Sequence, residues 1–253
     1  MGKSIIESLQ NTIDESVEYY KSQKIVLDLW QEENNSKNKN ELDSQIAKFF
    51  IESICLPSIE SEEGIESRIK YIVEQASNLQ DSVGDILDDN ESQVDGSICS
   101  ALEMILNQVE RFTRSFSEKS RKYLKGILSD EGISFEKKQE SYYELVQKNY
   151  SILFDETISA IYRGMKMTGH AIYDIVLCEI NSFLKNTGIY TKQILIGEKM
   201  NFDLCEYADE SSSQETESYD LDDCIYEIRQ YPYFADNEQL LSAGKVCTWR
   251  LVK

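Results

Sequence analysis

Through the first three-quarters of the chain, apolar residues recur at intervals of three and four, the period of an α-helix. Over residues 3–32, Ile6, Leu9, Ile13, Val17, Tyr20, Val26 and Leu27 trace one helical stripe, and the polar run Asn34 to Asn40 reads as a loop. A shorter helix is predicted over 41–55, with Leu42, Ile46, Phe49, Phe50 and Ile54 on its apolar side and Pro57 just past its end. From Ser61 a third helix carries Ile65, Ile69, Ile72, Val73, Ala76, Leu79, Val83, Ile86 and Leu87 close to a heptad seam, and Asp88-Asp89-Asn90 ends it. A fourth, over 93–128, places Ile98, Leu102, Ile105, Val109, Phe112, Phe116, Tyr123 and Ile127 on one face before a break at Gly132. The fifth, over 134–186, is expected to be the longest, running from Tyr142 and Val146 through Ile161 and Ile172 to Phe183, with Gly188 where a helix C-terminal glycine belongs. Pro57 and Pro232 are the only prolines, so none interrupts the helices between them.

Beyond Gly188 the period shortens. Strands are predicted at 190–196, 203–208, 224–230 and 245–252, where Tyr, Ile, Val and Trp are enriched. Between the second and third strands, the Ser-, Glu- and Asp-rich stretch 209–223 reads as a mobile, solvated acidic loop. The expected fold is mostly α with a small C-terminal β domain (α+β), divided into an N-terminal helical region (1–57), a long-helix bundle (58–187) and the β domain (188–253). Within the fifth helix, Gly164 and Gly169 each cost about 1 kcal/mol relative to alanine, so each requires close packing or a bend.

The β region carries a recognisable order of short motifs. Gly188-Ile189 ends the helix, Gly197-Glu198-Lys199-Met200-Asn201-Phe202-Asp203 follows, then Ile225-Tyr226-Glu227-Ile228-Arg229-Gln230-Tyr231-Pro232-Tyr233, and finally Leu240-Leu241-Ser242-Ala243-Gly244-Lys245-Val246. Upstream stands Gly164-Met165-Lys166-Met167-Thr168. Taken in this order, the motifs resemble those of GrpE-type nucleotide exchange factors. The pattern there is a Gly-Val-x-Met-Thr patch, a helix ending in Gly-Val, a Gly-Glu-x-Phe-Asp turn, a strand leading to a Gly-Tyr turn, and a last strand after Arg-Pro-Ala.

The resemblance implies a non-enzymatic co-chaperone: a homodimer whose β domain engages the nucleotide-binding domain of an Hsp70-type chaperone and promotes ADP release. Carried over residue by residue, the partner surface comprises Phe202, Asp203 and Glu206 in the first β turn and Tyr231, Tyr233, Asn237 and Leu240 in the second. The dimer seam comprises Gly164, Met165, Thr168, Ile172 and Ile175. From the residues alone, Tyr231 and Tyr233 serve equally well as sheet packing or as partner contacts, because they flank a proline turn instead of alternating along a strand.

Several positions depart from the pattern. Leu204-Cys205-Glu206-Tyr207-Ala208 replaces Pro-x-Leu-His-Glu-Ala, Pro232 stands at the turn glycine, Asn237-Glu238 at an Asp-Arg pair, and Leu241-Ser242-Ala243 at Arg-Pro-Ala. The breaks at Asn34, Pro57 and Asp88 suggest a folded bundle where the family has one uninterrupted coiled coil. These departures keep a second reading open, an adaptor or scaffold that binds a dedicated chaperone-like partner without exchange activity. A third is an unrelated helical module with a β cap, or an enzyme whose site is assembled from scattered carboxylates.

Composition narrows the partners. Against 26 Lys and Arg stand 46 Asp and Glu, a formal charge of −20, which repels phosphate backbones and anionic lipid surfaces, so neither nucleic acid nor a membrane is expected as a partner. No apolar run approaches the ~20 residues of a membrane span. Gly2 is no myristoylation site, because Ile6 stands where Ser or Thr is required. The six cysteines are scattered without a Cys-x-x-Cys pair, which suits free thiols in a cytoplasmic protein. A small β domain could bring Cys205, Cys224 and Cys247 together on a metal, but buried, hydrophobe-like cysteines are the default expectation, and no metal or cofactor is expected. His170 is the sole histidine, and neither a phosphate loop nor a nucleophile elbow is present, so no catalytic residues are assigned.

Overall fold

The computed structural model describes residues 56–90, 94–209 and 213–252. The helices expected over 3–32 and 41–55 lie outside the described residues. Residues 51–253 form one compact unit, and its architecture is α+β.

Helix α1 (Glu62–Asn90) begins where the Ser61 hydroxyl accepts the Gly64 N–H at 3.1 Å, with Glu62 and Glu63 favourably placed against the positive end of the helix dipole. Its heptad stripe, Ile65, Ile69, Ile72, Ala76, Leu79 and Val83, is buried throughout. Helix α2 (Gly96–Tyr123) is capped by Asp95, whose carboxylate accepts the N–H groups of Ser97 at 2.8 Å and Ile98 at 3.0 Å. The Ser97 hydroxyl, which also donates to this carboxylate, followed by the Ile98 and Ser97 N–H groups, holds the Asp95 carboxyl below the usual carboxylate range. Helix α2 lies along α1, and its last turn passes into a π-helical turn, Leu124–Leu128.

The segment expected as one helix over 134–186 is instead three helices with a reversal. Helix α3 (Phe135–Ser151) starts at Ser134, runs into a π-helical stretch at Ile152–Ile158, and continues as α4 (Ser159–Thr168). There Gly169 adopts φ 64°, a left-handed conformation that costs glycine nothing, and its N–H returns to the Met165 carbonyl at 2.8 Å. The chain then turns into α5 (Ile172–Asn186), which packs back on α4 and α1. Periodicity cannot register this reversal, because both arms keep helical spacing.

Gly188 ends α5 as the spacing predicts. At φ 84° its N–H reaches the Lys185 carbonyl at 3.1 Å, and the Ile189 N–H reaches that of Leu184 at 2.9 Å, the paired bonds of a Schellman motif, with Leu184 and Ile189 both buried.

The strands form two small sheets. In the first, β1 (Tyr190–Thr191), β5 (Tyr233–Phe234) and β6 (Leu240–Ser242) pair antiparallel in the order β1-β5-β6. In the second, β7 (Gly244–Leu251) is central, with β4 (Ile225–Gln230) antiparallel on one side. On the other side, β2 (Cys205–Tyr207) and β3 (Ser213–Thr216) lie end to end, both parallel to β7. The ladder fixes this arrangement: the N–H groups of Gly244 and Val252 bond to Leu204 and Thr216, whereas that of Trp249, of opposite parity, bonds to Cys224 just before β4.

Two expectations change here. The strand expected at 190–196 stops at Thr191, because Ile194 turns into a small core with Met200, Cys205, Ile225 and Val246, and Gly197 reverses the chain at φ 92°. The stretch 209–223, expected as a mobile loop, supplies strand β3 and a 3-10 turn at Tyr219–Leu221. Strand β3 reads Ser-Gln-Glu-Thr and is almost wholly exposed, so it has no apolar alternation to betray it. The main core includes Ile189, Tyr233, Ala235 and Leu241 alongside the bundle residues.

Candidate partner-binding surface

Among the described residues, the β region carries most of the large apolar side chains left in water. Leu195, Ile196, Phe202, Tyr207, Tyr219, Leu221, Tyr231 and Val252 are exposed there, against Met104, Met167 and Ile175 in the bundle. Contiguous exposed apolar groups mark interaction surfaces, and here ring contact joins Phe202 and Tyr207.

The first predicted turn is built by Asn201. Its side-chain carbonyl accepts the Asp203 N–H at 2.9 Å, and its backbone carbonyl accepts the N–H groups of Leu204 at 3.1 Å and Cys205 at 2.8 Å. The tight turn pushes Phe202 outward, 63% exposed, where its ring meets that of Tyr207 edge to face at 6.2 Å. Asp203 and Glu206 are exposed beside the pair. The result is an aromatic knob framed by carboxylates. Tyr207 was not among the residues predicted for this surface; strand alternation would set it on the face of buried Cys205, so spacing gave no signal for its exposure.

The second predicted turn divides in two. Tyr231 is exposed at the surface, whereas Tyr233 is 5% exposed and its ring stacks on Phe154 at 4.5 Å. Between the two uses that the sequence leaves open for Tyr233, the structure places it in the core. Burial, followed by the nearby Tyr162 phenol, pushes its pKa up. Asn237 is exposed in the β5–β6 turn, where its side chain accepts the Gln239 N–H at 3.0 Å. Leu240 is half-buried, its carbonyl facing the Gln147 side-chain amide at 3.5 Å. A shallow groove of about 370 Å³ runs between α3 and this turn, lined by Gln139, Glu140, Tyr143, Glu144, Asn237 and Gln239.

Gly244 brings the two turns together. Its N–H donates to the Leu204 carbonyl at 2.8 Å, and a side chain at this position would meet the Pro232 ring at 3.0 Å. The Phe202 turn and the Tyr231-Pro232 segment are therefore neighbours across one backbone, while Asn237 and Leu240 lie on the side that faces α3.

Among the residues assigned to a subunit seam, two are packed within the chain itself. A β-carbon on Gly164 would lie 2.4 Å from the Tyr173 ring, so α4 and α5 approach through this glycine, and Ile172 is 2% exposed. Met165 is half-buried and Thr168 and Ile175 are exposed, with the Thr168 hydroxyl returning to the Gly164 carbonyl at 2.9 Å.

The β region is tied to the bundle by Lys166–Glu227 at 3.2 Å and Lys245–Asp155 at 3.3 Å. Burial opposes ionisation of Glu227, but Lys166 and Arg229 outweigh it and hold the carboxyl below its ordinary range. Cys205, Cys224 and Cys247 are buried thiols; the Cys224 thiol faces the Asp220 carbonyl at 3.2 Å, and burial raises the other two. Among the described residues no group of three or more His, Cys, Asp or Glu is placed to hold a metal ion, and no helix is long and apolar enough to cross a membrane. Comparison of the chain with protein-family models, curated proteins and solved structures returned no match, so its function must be argued from this surface and the motif order.

Proposed function

We propose that the chain is a GrpE-like co-chaperone that binds the nucleotide-binding domain of an Hsp70-type chaperone through its β region and promotes ADP release. The observation that carries this reading is the match between motif order and structural role. Gly188-Ile189 closes the last helix, Gly197 reverses the chain ahead of the exposed Phe202-Asp203 turn, β4 leads into Pro232-Tyr233, and the last strand follows Ala243.

The mechanism is linkage. A factor that binds the nucleotide-free chaperone more tightly than the ADP-bound form weakens ADP binding by the same factor, and needs no chemistry of its own. Phe202, Tyr207 and Tyr231 supply apolar contact, and Asp203, Glu206 and Asn237 supply polar contact. Tyr233 acts from beneath by anchoring β5 on Phe154. A homodimer would form through the exposed Met167, Thr168 and Ile175 of α4 and α5. A cytoplasmic location fits the free thiols at Cys178, Cys205, Cys224 and Cys247.

The second reading, an adaptor without exchange activity, is favoured by Glu238, a carboxylate at φ 65° in the β5–β6 turn where the family pattern has arginine. Stopped-flow release of fluorescent ADP from Hsp70-type chaperones of the same source distinguishes them. Acceleration that is lost in Phe202→Ala supports exchange; binding without acceleration supports the adaptor; absence of binding removes both for those chaperones.

A further inference from the structure

No other strand among the described residues lies along the outer edge of β2 and β3. Among the described residues each pairs only with β7, and Glu206, Tyr207, Ser213, Gln214 and Glu215 are exposed. In β3, Thr216 accepts the Val252 N–H at 2.9 Å, so the positions of its parity face β7. By the alternation of the ladder, the N–H and C=O of Glu215 face outward. An edge of this kind is a template for another strand.

Its charge selects what can pair there. From Asp203 to Asp223 the chain carries nine carboxylates and no Lys or Arg. The nearest bases stand one strand inward, Lys245 opposite Glu206 and Arg250 opposite Glu215. A lysine or arginine on an incoming strand would continue the cross-strand order base, acid, base. A second copy of this edge would set carboxylate against carboxylate, which is unfavourable.

We infer that the open edge of β2 and β3 binds an extended, lysine- or arginine-bearing segment of a partner protein by strand addition. The apolar flank is supplied at the β2 end by the Phe202–Tyr207 pair. The site shares Glu206 and the Phe202–Tyr207 pair with the surface proposed for the chaperone, but it uses the backbone edge, and the partner is recognised by extension and positive charge.

The test uses a labelled, end-blocked peptide alternating lysine and valine, its glutamate–valine counterpart, and the full chain, followed by fluorescence anisotropy and amide hydrogen exchange. The lysine peptide is expected to bind, to weaken as salt is raised, and to slow exchange at Tyr207 and Glu215. Glu215→Pro removes an outward N–H that the β7 ladder does not use and should weaken binding about tenfold, the equivalent of one lost backbone hydrogen bond, with the Trp249 fluorescence unchanged. Should that variant perturb the sheet, Glu206→Lys with Glu215→Lys reverses the preference in favour of the glutamate peptide. Equal binding of both peptides, binding without protection of the edge amides, self-association of the chain through this edge, or absence of binding would each overturn the inference. ADP release is read separately, so a chain that accelerates release yet ignores the peptide refutes strand addition alone.

Discussion

Arg68 on α1 and Asp236 in the β5–β6 turn are joined by an ion pair of 2.9 Å across 168 positions of sequence, both side chains almost wholly out of water. The Arg68 Nε donates to the Pro57 carbonyl at 2.7 Å, and the Tyr143 hydroxyl donates to the second Asp236 oxygen at 2.9 Å. Four segments, the stretch at Pro57, α1, α3 and the β5–β6 turn, are thus held at one point. Removing one partner strands the other: Asp236→Ala should destabilise by about 3–5 kcal/mol, whereas Arg68→Met with Asp236→Leu should recover much of that loss. Urea unfolding of the two variants checks it, and equal losses would show that the charge itself is not what matters.

Gly164→Ala sets two opposing effects against each other. Alanine gains about 1 kcal/mol of helix propensity, but its β-carbon would lie 2.4 Å from the Tyr173 ring, and overpacking costs about 1–3 kcal/mol. The expected net effect is destabilisation. In a Tyr173→Ala background the same change should become stabilising, because the ring is gone. A double-mutant cycle in thermal denaturation reads the reversal of sign.

Tyr231 and Tyr233 should respond differently to truncation. Tyr233→Ala empties a core position stacked on Phe154 and should cost about 3–5 kcal/mol. Tyr231→Ala, at an exposed site, should stay within about 0.5 kcal/mol. Any loss of partner binding in Tyr231→Ala or Phe202→Ala therefore reports the surface, whereas a loss in Tyr233→Ala is confounded by folding. Denaturant midpoints measured beside binding separate the two.

The thiols should report burial. Among the described residues Cys178 is exposed, Cys99 is half-buried and Cys205, Cys224 and Cys247 are buried, so a thiol reagent at mildly alkaline pH should label Cys178 ahead of the three buried thiols and reach those three only on unfolding. Burial pushes the Cys205 thiol from 9.0 up to about 11. Its folded form therefore holds its proton more tightly than its unfolded form. The associated stability is complete below about pH 9 and lost as pH rises towards 11. Cys205→Ser should flatten that part of a stability-against-pH curve, and an unchanged curve would assign the alkaline loss to other groups.

Much of the bundle was legible because burial on a helix has a period that sequence displays. Ile65 to Val83 and Ile98 to Phe116 are the stripes that predict α1 and α2, and all of them are buried except Val73, which is half-buried. Gly188 was legible too, because a left-handed helix end favours glycine for a local steric reason. The Phe202-Asp203 turn was read from motif order, and it lies at the surface.

What the sequence determined by itself is therefore what depends on near neighbours in the chain, helical stripes, caps and the change of period after Gly188, together with the net acidic charge. Tertiary structure alone decided the rest. Gly169 as a reversal instead of a bend, Gly164 as the seat of Tyr173, Tyr233 as core and Tyr231 as surface, β3 within a polar stretch, and Arg68 against Asp236 all depend on partners distant in sequence or on the strand beside them. Local spacing carries no record of which distant side chain will arrive, because that is settled by how the buried faces pack against one another.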